Sequence, residues 1–457
     1  MSIAYSPKIT KTIKQQKSML EMLAWMSCTP LVVGFFLNKG FQVFDVTQII
    51  DDVGRLTGLL AINVMLIQVI LVSRIELLDA LYGQDTLVAV HKKLNKPAYY
   101  LLSIHFAALL WAYSVKDNVS ILAEYDKMWD WQDTQWAIIS FIIITVIVIV
   151  SGSAIRKMLP YEVWYVIHLA IYVALIISIP HVFSTGTDMQ DFWTKMYMIS
   201  LYIVTVSGLL VYRFLLPIYR SFRHRLVVSD IVRESDNSVS IYMTGRNLDK
   251  LPHLAGQFFM WRFMSRHLFF NAHPFSLSAA PDGKTLRITV ADLGNGSHKL
   301  QRVEKGTRVW FEGPYGIFTE ERRTRDRVTM IASGVGITPI RALTEAIDFG
   351  RGDLTIIYRG QRGSKMPFLN ELETLAEEKG INIIYSVGKR ARSTSWLAHE
   401  TAPSPMTDLQ ALLNMVPDIA DNDVYVCGPV AWTHTVLRTL HKADVPESQI
   451  HAEEFAW

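Results

Sequence analysis

The sequence predicts a membrane-embedded all-α bundle of six helices joined to a cytosolic module, itself an antiparallel β-barrel followed by an α/β unit. Three observations predict it. Residues 1–217 carry 31 of the 87 Lys, Arg, Asp and Glu side chains, about 14% of that segment, whereas the remaining 240 residues are about 23% charged, an ordinary soluble value. Six apolar runs in the first part each approach the ~20 residues that carry a helix across a bilayer. The second part holds short β-rich runs separated by Gly, Pro, Asp and Asn, and then strands alternating with helices.

The whole-chain averages already narrow the function. With 457 residues, 50% hydrophobic, 19% charged and a net charge of +3, the chain is two or three domains long and too apolar to be disordered. A nucleic-acid binder would carry a larger basic excess. The two cysteines, Cys28 and Cys427, fall in the two unlike parts, so no disulfide framework is expected.

The expected spans are 19–38, 56–75, 88–114, 134–155, 160–183 and 192–215. Lys8, Lys11, Lys14 and Lys17 precede the first; Arg74, Lys92 and Lys93 flank the loop after the second. Arg156 and Lys157 join the fourth to the fifth, and Arg213, Arg220, Arg223 and Arg225 follow the sixth. The alternate loops carry Asp45, Asp51, Asp52, Asp117, Glu124, Asp126, Asp130, Asp133, Asp188 and Asp191. By the positive-inside rule both termini are cytoplasmic and the protein is multi-pass in the cell (inner or plasma) membrane. The basic start and long apolar run, without an A-x-A-like exit, read as an uncleaved first helix rather than a secretory signal. The expected domains are a cytoplasmic segment 1–18, a membrane domain 19–217, a β-barrel domain 218–321 and an α/β domain 322–457.

Four of the thirteen histidines lie within spans: His91 and His105 on the third, His168 and His181 on the fifth. These helices run in the same direction, so His91 pairs in depth with His168, and His105 with His181. Spacings of 14 and 13 residues at 1.5 Å rise separate the two levels by roughly 20 Å, which fits two cofactors stacked within a ~30 Å hydrocarbon layer. Two imidazoles per level suggest two six-coordinate b-type haems. Fourteen residues return to within about 40° of one helix face, but thirteen leave His168 and His181 about 140° apart. Pro180, before His181, supplies the kink or rewinding that would absorb this error. The competing reading, packing histidines, explains one such residue better than four in paired depths.

The barrel region contains HPFS at 273–276, LGNGSHKL at 293–300 and GPYG at 313–316. Gly296 and Ser297 could hold a phosphate on backbone N–H groups, or simply form a turn. Further on, RVTMIAS reads as a strand, GVGITPI as a Gly-rich turn and RALTEAI as a helix start. Strand, turn with Gly334 and Gly336, then helix is the context of a Rossmann-like dinucleotide site, with Pro339 standing where a third glycine is common. On this reading Gly336 lets phosphates approach the backbone. Arg359 and Arg362, after the next strand, could pair with a 2′-phosphate and select NADPH over NADH, or could be solvated loop charges.

Histidine pairs spaced 14 and 13, followed by HPFS, GPYG, GVGITP, CGP and a terminal aromatic, resemble the ferric reductase and NADPH oxidase superfamily over about residues 19–457, in a prokaryotic-type form without EF-hands. The resemblance implies a ferredoxin-NADP reductase-like cytosolic module holding FAD and NADPH. It implies that His91 with His168 ligates an inner haem iron and His105 with His181 an outer one. Ser276 would bond near the flavin's reactive nitrogen, with His273, Pro274 and Phe275 along its ring and phosphates, and Gly296 and Ser297 at its pyrophosphate. Gly334, Gly336, Thr338 and Pro339 match the nicotinamide-dinucleotide loop, and Cys427 would lie near the nicotinamide, or is a small buried strand residue. The family closes with an aromatic stacked on the flavin; here Phe455 and Trp457 are candidates, Trp457 being terminal. Arg55 matches an arginine near the outer haem, although an arginine snorkelling to the surface has the same place in sequence.

Electron counting orders these parts. A nicotinamide gives two electrons as hydride and haems carry one, so a flavin must stand between them: NADPH, FAD, inner haem, outer haem, acceptor. The implied acceptor is dioxygen, giving superoxide. The alternatives are a ferric or cupric chelate and, third, a partner protein outside that receives electrons from the chain as a conduit.

Overall fold

The computed structural model describes residues 7–42, 45–266, 268–269, 271–361 and 365–455. By internal contacts the chain divides into a membrane unit, Ser18–Ile75 with Asp85–Val211, and a second unit, Met1–Lys17 with Glu76–Gln84 and Tyr212–Trp457.

Among the described residues six helices are long and apolar enough to cross a bilayer: Gln15–Leu37, Val46–Val72, Gln84–Lys116, Thr134–Ser151, Glu162–Ser184 and Phe192–His224. The second begins ten residues before the expected span, because Asp51, Asp52 and Arg55, which interrupt its hydropathy, are paired within the unit. Its start is capped by Asp45, whose carboxylate accepts from the N–H groups of Thr47 (3.0 Å) and Gln48 (3.3 Å). On Thr134–Ser151, Ile142, Val146 and Ile149 form an exposed stripe at helical spacing while Ile138, Ile144 and Ile147 are buried. Such a stripe suits contact with lipid tails. Close helix approach depends on glycine: a Cβ on Gly54 would stand 2.8 Å from Leu109 on Gln84–Lys116.

The second unit holds two sheets. Strands β1 (Leu226–Ser235), β2 (Ser238–Thr244), β3 (Phe258–Phe263), β4 (His273–Ser276), β5 (Thr285–Ala291) and β6 (Arg308–Tyr315) run antiparallel in the order β4-β3-β6-β1-β2-β5. A bridge between Leu277 and Ile288 brings the two edges together, closing the barrel. β3 alternates half-buried and buried residues, and its Phe259, Trp261 and Phe263 fill the interior with Ile241, Ile288 and Phe311. The helix Glu76–Tyr82 packs on this barrel: Arg220 pairs with Glu76, and the Gly316 N–H donates to Asp79 at 2.8 Å. Hydropathy misses it, since it is a seven-residue loop segment.

The other sheet is parallel: β7 (Val328–Ser333), β8 (Leu354–Gly360), β9 (Asn382–Val387), β10 (Asp423–Pro429) and β11 (Ile450–Phe455), in the order β11-β10-β7-β8-β9. Its central strands are nearly continuous hydrophobic runs because both faces are covered. Met330, Ile356 and Tyr425 enter one core, and their neighbours Ile331, Ile357 and Val424 enter the other.

Candidate functional site: paired histidines and a two-lobed nucleotide-type module

The four membrane histidines meet in two pairs. The rings of His91 and His168 have centroids 6.2 Å apart, and those of His105 and His181 are 6.4 Å apart. An ion bound between two imidazoles would set the centroids about 6 Å apart, summing two bonds of about 2 Å and roughly 1 Å from each nitrogen to its ring centre. The phase error expected between His168 and His181 is absorbed where anticipated: the helix Tyr161–Ile177 breaks at Ser178 and resumes as Ile179–Ser184, with Pro180 in its first turn.

Backbone carbonyls orient one ring of each pair. His91 Nδ1 lies 3.2 Å from the Gln68 carbonyl and His105 Nδ1 lies 2.8 Å from that of Gly54, leaving Nε2 as the remaining nitrogen. Metal-bound imidazoles commonly have such a carbonyl partner on the other nitrogen. Gly58 makes room, since a Cβ there would stand 2.4 Å from His105 Nδ1. His105 and His181 line a cavity of about 430 Å³, within the range of cofactor pockets, together with Gly58, Leu59, Phe106 and Phe141. No cluster of three or more His, Cys, Asp or Glu suited to a metal ion occurs among the described residues.

Arg55 lines the same cavity. It does not snorkel outward. Its Nε and Nη2 bond Asp188 at 2.9 and 2.7 Å, and its Nη1 bonds Asp52 at 3.0 Å.

In the second unit, Ser276 ends β4, and its hydroxyl is buried with no hydrogen-bond partner among the described residues; His273 Nε2 is in the same state. Buried polar atoms left open call for a ligand or water. Pro274 is exposed beside half-buried Phe275, whose carbonyl accepts from the Trp261 indole at 3.0 Å. Burial, helped by the Arg262 charge, pushes the His273 imidazole below its usual range, so it is neutral at pH 7. Gly296 packs against that imidazole: a Cβ there would lie 3.2 Å from His273 Cε1. Ser297 spends its hydroxyl on its own turn, accepting from the Leu293 and Gly294 N–H groups at 2.9 Å.

At the Gly-rich turn the two glycines have different reasons. Gly334 has φ +57° and open space where a Cβ would be, so it is the position a ligand can approach. Gly336 is buried, and a Cβ there would come within 2.1 Å of the Cys427 carbonyl, so its close approach is to β10. Thr338 is bonded to the Val335 carbonyl (2.9 Å), and Pro339 lies in the first turn of Ile337–Ala346, where its missing N–H is not required.

The Arg359 guanidinium is neither a solvated charge nor displayed outward. It is buried against the carbonyls of Gly360, Ser386 (3.1 Å) and Gly388 (2.7 Å). Arg362 lies outside the described residues, as does Trp457. Phe455 is half-buried on β11 and packs against the sheet core.

Cys427 is fully buried, and burial, reinforced by the Glu453 charge, raises its thiol well above the ordinary range. Glu453 is paired with it in register on β11. Reading the chain end only for aromatics passes over this carboxylate; its position two residues before Phe455 on a strand was the available signal.

Residues 57–179 match the family described as ferric reductase like transmembrane component, and residues 330–437 match the oxidoreductase NAD-binding domain. Similar curated proteins include a flavohemoprotein of Vibrio cholerae, 28% identical over 40% of this chain and 45% of its own length. The ferredoxin reductase component of 3-ketosteroid-9-alpha-monooxygenase from Mycolicibacterium smegmatis is 26% identical over 50% of this chain and 65% of its own. The chain thus spans about half the length of the curated relatives it matches. The solved FAD/NAD binding domain of nitric oxide dioxygenase from Vibrio cholerae O1 biovar El Tor aligns with 26% identity and a TM-score of 0.42, covering 51% of this chain and 99% of that one.

Fold and matches together define a chain with six candidate membrane helices among the described residues, similar over residues 57–179 to a ferric-reductase-like transmembrane component and carrying an oxidoreductase NAD-binding domain match over residues 330–437. The two matches lie in one chain, the membrane one before the nucleotide one.

Proposed function

We propose that the chain passes electrons from cytosolic NADPH through FAD and two b-type haems to dioxygen on the outer side of the cell membrane, releasing superoxide, with both termini cytoplasmic. The observation that carries this reading is the pair of facing imidazoles at each of two depths, 6.2 and 6.4 Å between centroids. When bound, FAD would supply the exchange of a hydride for single electrons and haem iron the one-electron relay.

The chain's own residues hold and orient. His91 with His168, and His105 with His181, would each clamp one iron from both sides, with Gln68 and Gly54 carbonyls fixing one ring of each pair. With two protein imidazoles offered to each haem, the acceptor would meet the cavity wall lined by Arg55, and transfer to it would be outer-sphere. The Ser276 hydroxyl and the neutral His273 Nε2 are the open polar atoms offered to the flavin. Gly334 opens the nucleotide turn to the dinucleotide. The balance is one NADPH and two dioxygen molecules giving NADP⁺, one proton and two superoxide ions.

A ferric or cupric chelate is the second reading, favoured by the family matched over residues 57–179. Purified protein supplied with FAD and NADPH should show the bands of reduced b-type haem. Failure to bind haem with all four histidines intact would overturn the proposal. Superoxide-dismutase-sensitive reduction of cytochrome c in air separates the two acceptors, since a chelate reductase needs added ferric ion. Equal use of NADH would remove the coenzyme preference.

A further inference from the structure

Arg287, on β5, sits where the barrel meets the nucleotide lobe, with its side chain only 4% exposed. Its fork grips Glu371, on the helix Leu369–Lys379 of that lobe, at 2.8 and 3.1 Å. Nη2 also donates to the carbonyl of Ser278 at 2.6 Å, two residues beyond Ser276 on the same run of chain. The rings of Tyr242 and Phe368 lie against the guanidinium, with centroids 5.7 and 4.8 Å from its Cζ.

A second arginine converges on the same atoms from the other lobe. Arg341, on the helix that follows the Gly-rich turn, has Nε 2.7 Å from Glu371 Oε2, the oxygen that Arg287 Nη2 also bonds, and Nη1 3.3 Å from the Ser278 carbonyl. It also pairs with Glu345, whose carboxylate accepts from the Ala280 N–H at 2.7 Å. Two cations and two anions therefore balance, and they connect the 273–280 run to the helix that follows the nucleotide turn and to the helix Leu369–Lys379.

Such a cluster is a poor device for stability alone, because desolvating four charges offsets most of their attraction. Its merit is geometric: bidentate, planar bonds define where one lobe stands relative to the other. Hydride transfer demands that geometry, since reacting atoms must come within about 3–3.5 Å and a 1 Å error costs about 100-fold in rate.

We propose that Arg287 is a positioning residue for hydride transfer, holding the nucleotide lobe in register with the flavin-side strand through Glu371 and Ser278; this rests on the reading of the module as an FAD and NADPH reductase. In the full-length protein loaded with FAD, Arg287→Leu should slow flavin reduction at saturating NADPH by about 10- to 100-fold, followed by rapid mixing without acceptor. FAD content and the KM for NADPH should stay within about threefold, because binding groups are untouched; Arg287→Lys, which keeps the charge but not the fork, should recover only part of the rate. Without any cofactor, hydrogen exchange at the Ala280 amide should become faster in Arg287→Leu.

If Arg287→Leu does not fold, Glu371→Gln, close to isosteric, takes its place with the same expectations. Flavin reduction within twofold of the native rate in the folded variants overturns the proposal, and so does loss of FAD or of folding in both, which would make the role purely structural. Native protein whose flavin is reduced by neither NADPH nor NADH contradicts the reductase reading instead, and the Ala280 exchange comparison then decides the positioning role by itself.

Discussion

Arg55 meets Asp188 fork to fork, Nε and Nη2 standing 2.9 and 2.7 Å from the two carboxylate oxygens. Asp52 takes the remaining Nη1 at 3.0 Å. One guanidinium thus faces two carboxylates, and Arg55 and Asp188 line the cavity that His105 and His181 share. Nearby, Asp51 pairs with Lys116 at 3.4 Å, so this wall shows no excess positive charge to an arriving anion. A neutral acceptor is indifferent to that; an anionic ferric chelate is not.

Asp188→Asn should therefore shift the acceptor preference. Removing one negative charge raises the rate with an anionic ferric chelate by about three- to tenfold relative to dioxygen at low salt, and the gain shrinks above about 0.15 M salt. Steady-state rates with both acceptors, at equal haem content, measure the ratio. An unchanged ratio would show that acceptors do not feel this wall.

The histidine pairs predict a countable result. If each pair holds one haem as proposed, His168→Ala should leave about one haem per chain instead of two, and His181→Ala likewise. Gly58→Ala should act at one level only, because its Cβ would strike His105 at 2.4 Å and nothing of the other pair. Haem per protein by pyridine haemochrome checks all three; loss of both haems from Gly58→Ala would contradict independent sites.

What could be read from the chain in advance was whatever stands out against its local background. Four imidazoles in apolar helices do, and so does a proline beside one of them, which is why the paired depths and the break near Ser178 were both legible. Charges that cancel in space do not: Asp51, Asp52 and Arg55 look like the end of a span but sit inside the helix Val46–Val72. Partners distant in sequence are equally hidden. The neighbour that requires Gly336 is the Cys427 carbonyl, and the carbonyls that bury Arg359 belong to the end of the next strand, facts of sheet packing that no local motif contains. Arg287 belongs to no motif, and only the fold brings Glu371 to it.

The two glycines of the nucleotide turn should fail differently. Gly336→Ala drives a methyl group into the Cys427 carbonyl, and overpacking of that kind costs about 1–3 kcal/mol. Gly334→Ala meets no atom within 4 Å but must hold φ near +57°, a cost of about 1 kcal/mol. Thermal unfolding should then rank Gly336→Ala as the less stable variant, while a bulkier Gly334→Val raises the KM for NADPH by crowding the open side. Equal melting losses with an unchanged KM would remove the distinction.

Acid should weaken the second unit. Burial lowers the imidazoles of His253 and His273 below their usual value, so the unfolded chain binds protons that the folded chain refuses. Stability from this source is complete above the ordinary imidazole value of about 6.5 and is lost as pH falls through it. Tm measured by tryptophan fluorescence should drop between about pH 7.5 and 5.5, and a His253→Gln, His273→Gln double variant should flatten that slope. A slope unaltered by the double variant would assign the acid sensitivity to other groups.

Cys427 sits at the end of β10, where a family resemblance puts a residue beside the nicotinamide, and its chemistry can be tested without any cofactor. Its thiol is fully buried and its proton is held well above the ordinary range, first by burial and then by Glu453. The thiolate is the reactive form, so a raised value means slow alkylation even at alkaline pH. Native protein treated with iodoacetamide at about pH 8 should leave Cys427 unmodified by peptide mass mapping, whereas unfolding in guanidinium should make it react at the rate of a free thiol with a value near 8.5. Glu453→Gln should speed native alkylation only slightly, because burial is the larger cause. Rapid native modification would place Cys427 in an accessible, ionised setting and make it a candidate for direct chemistry.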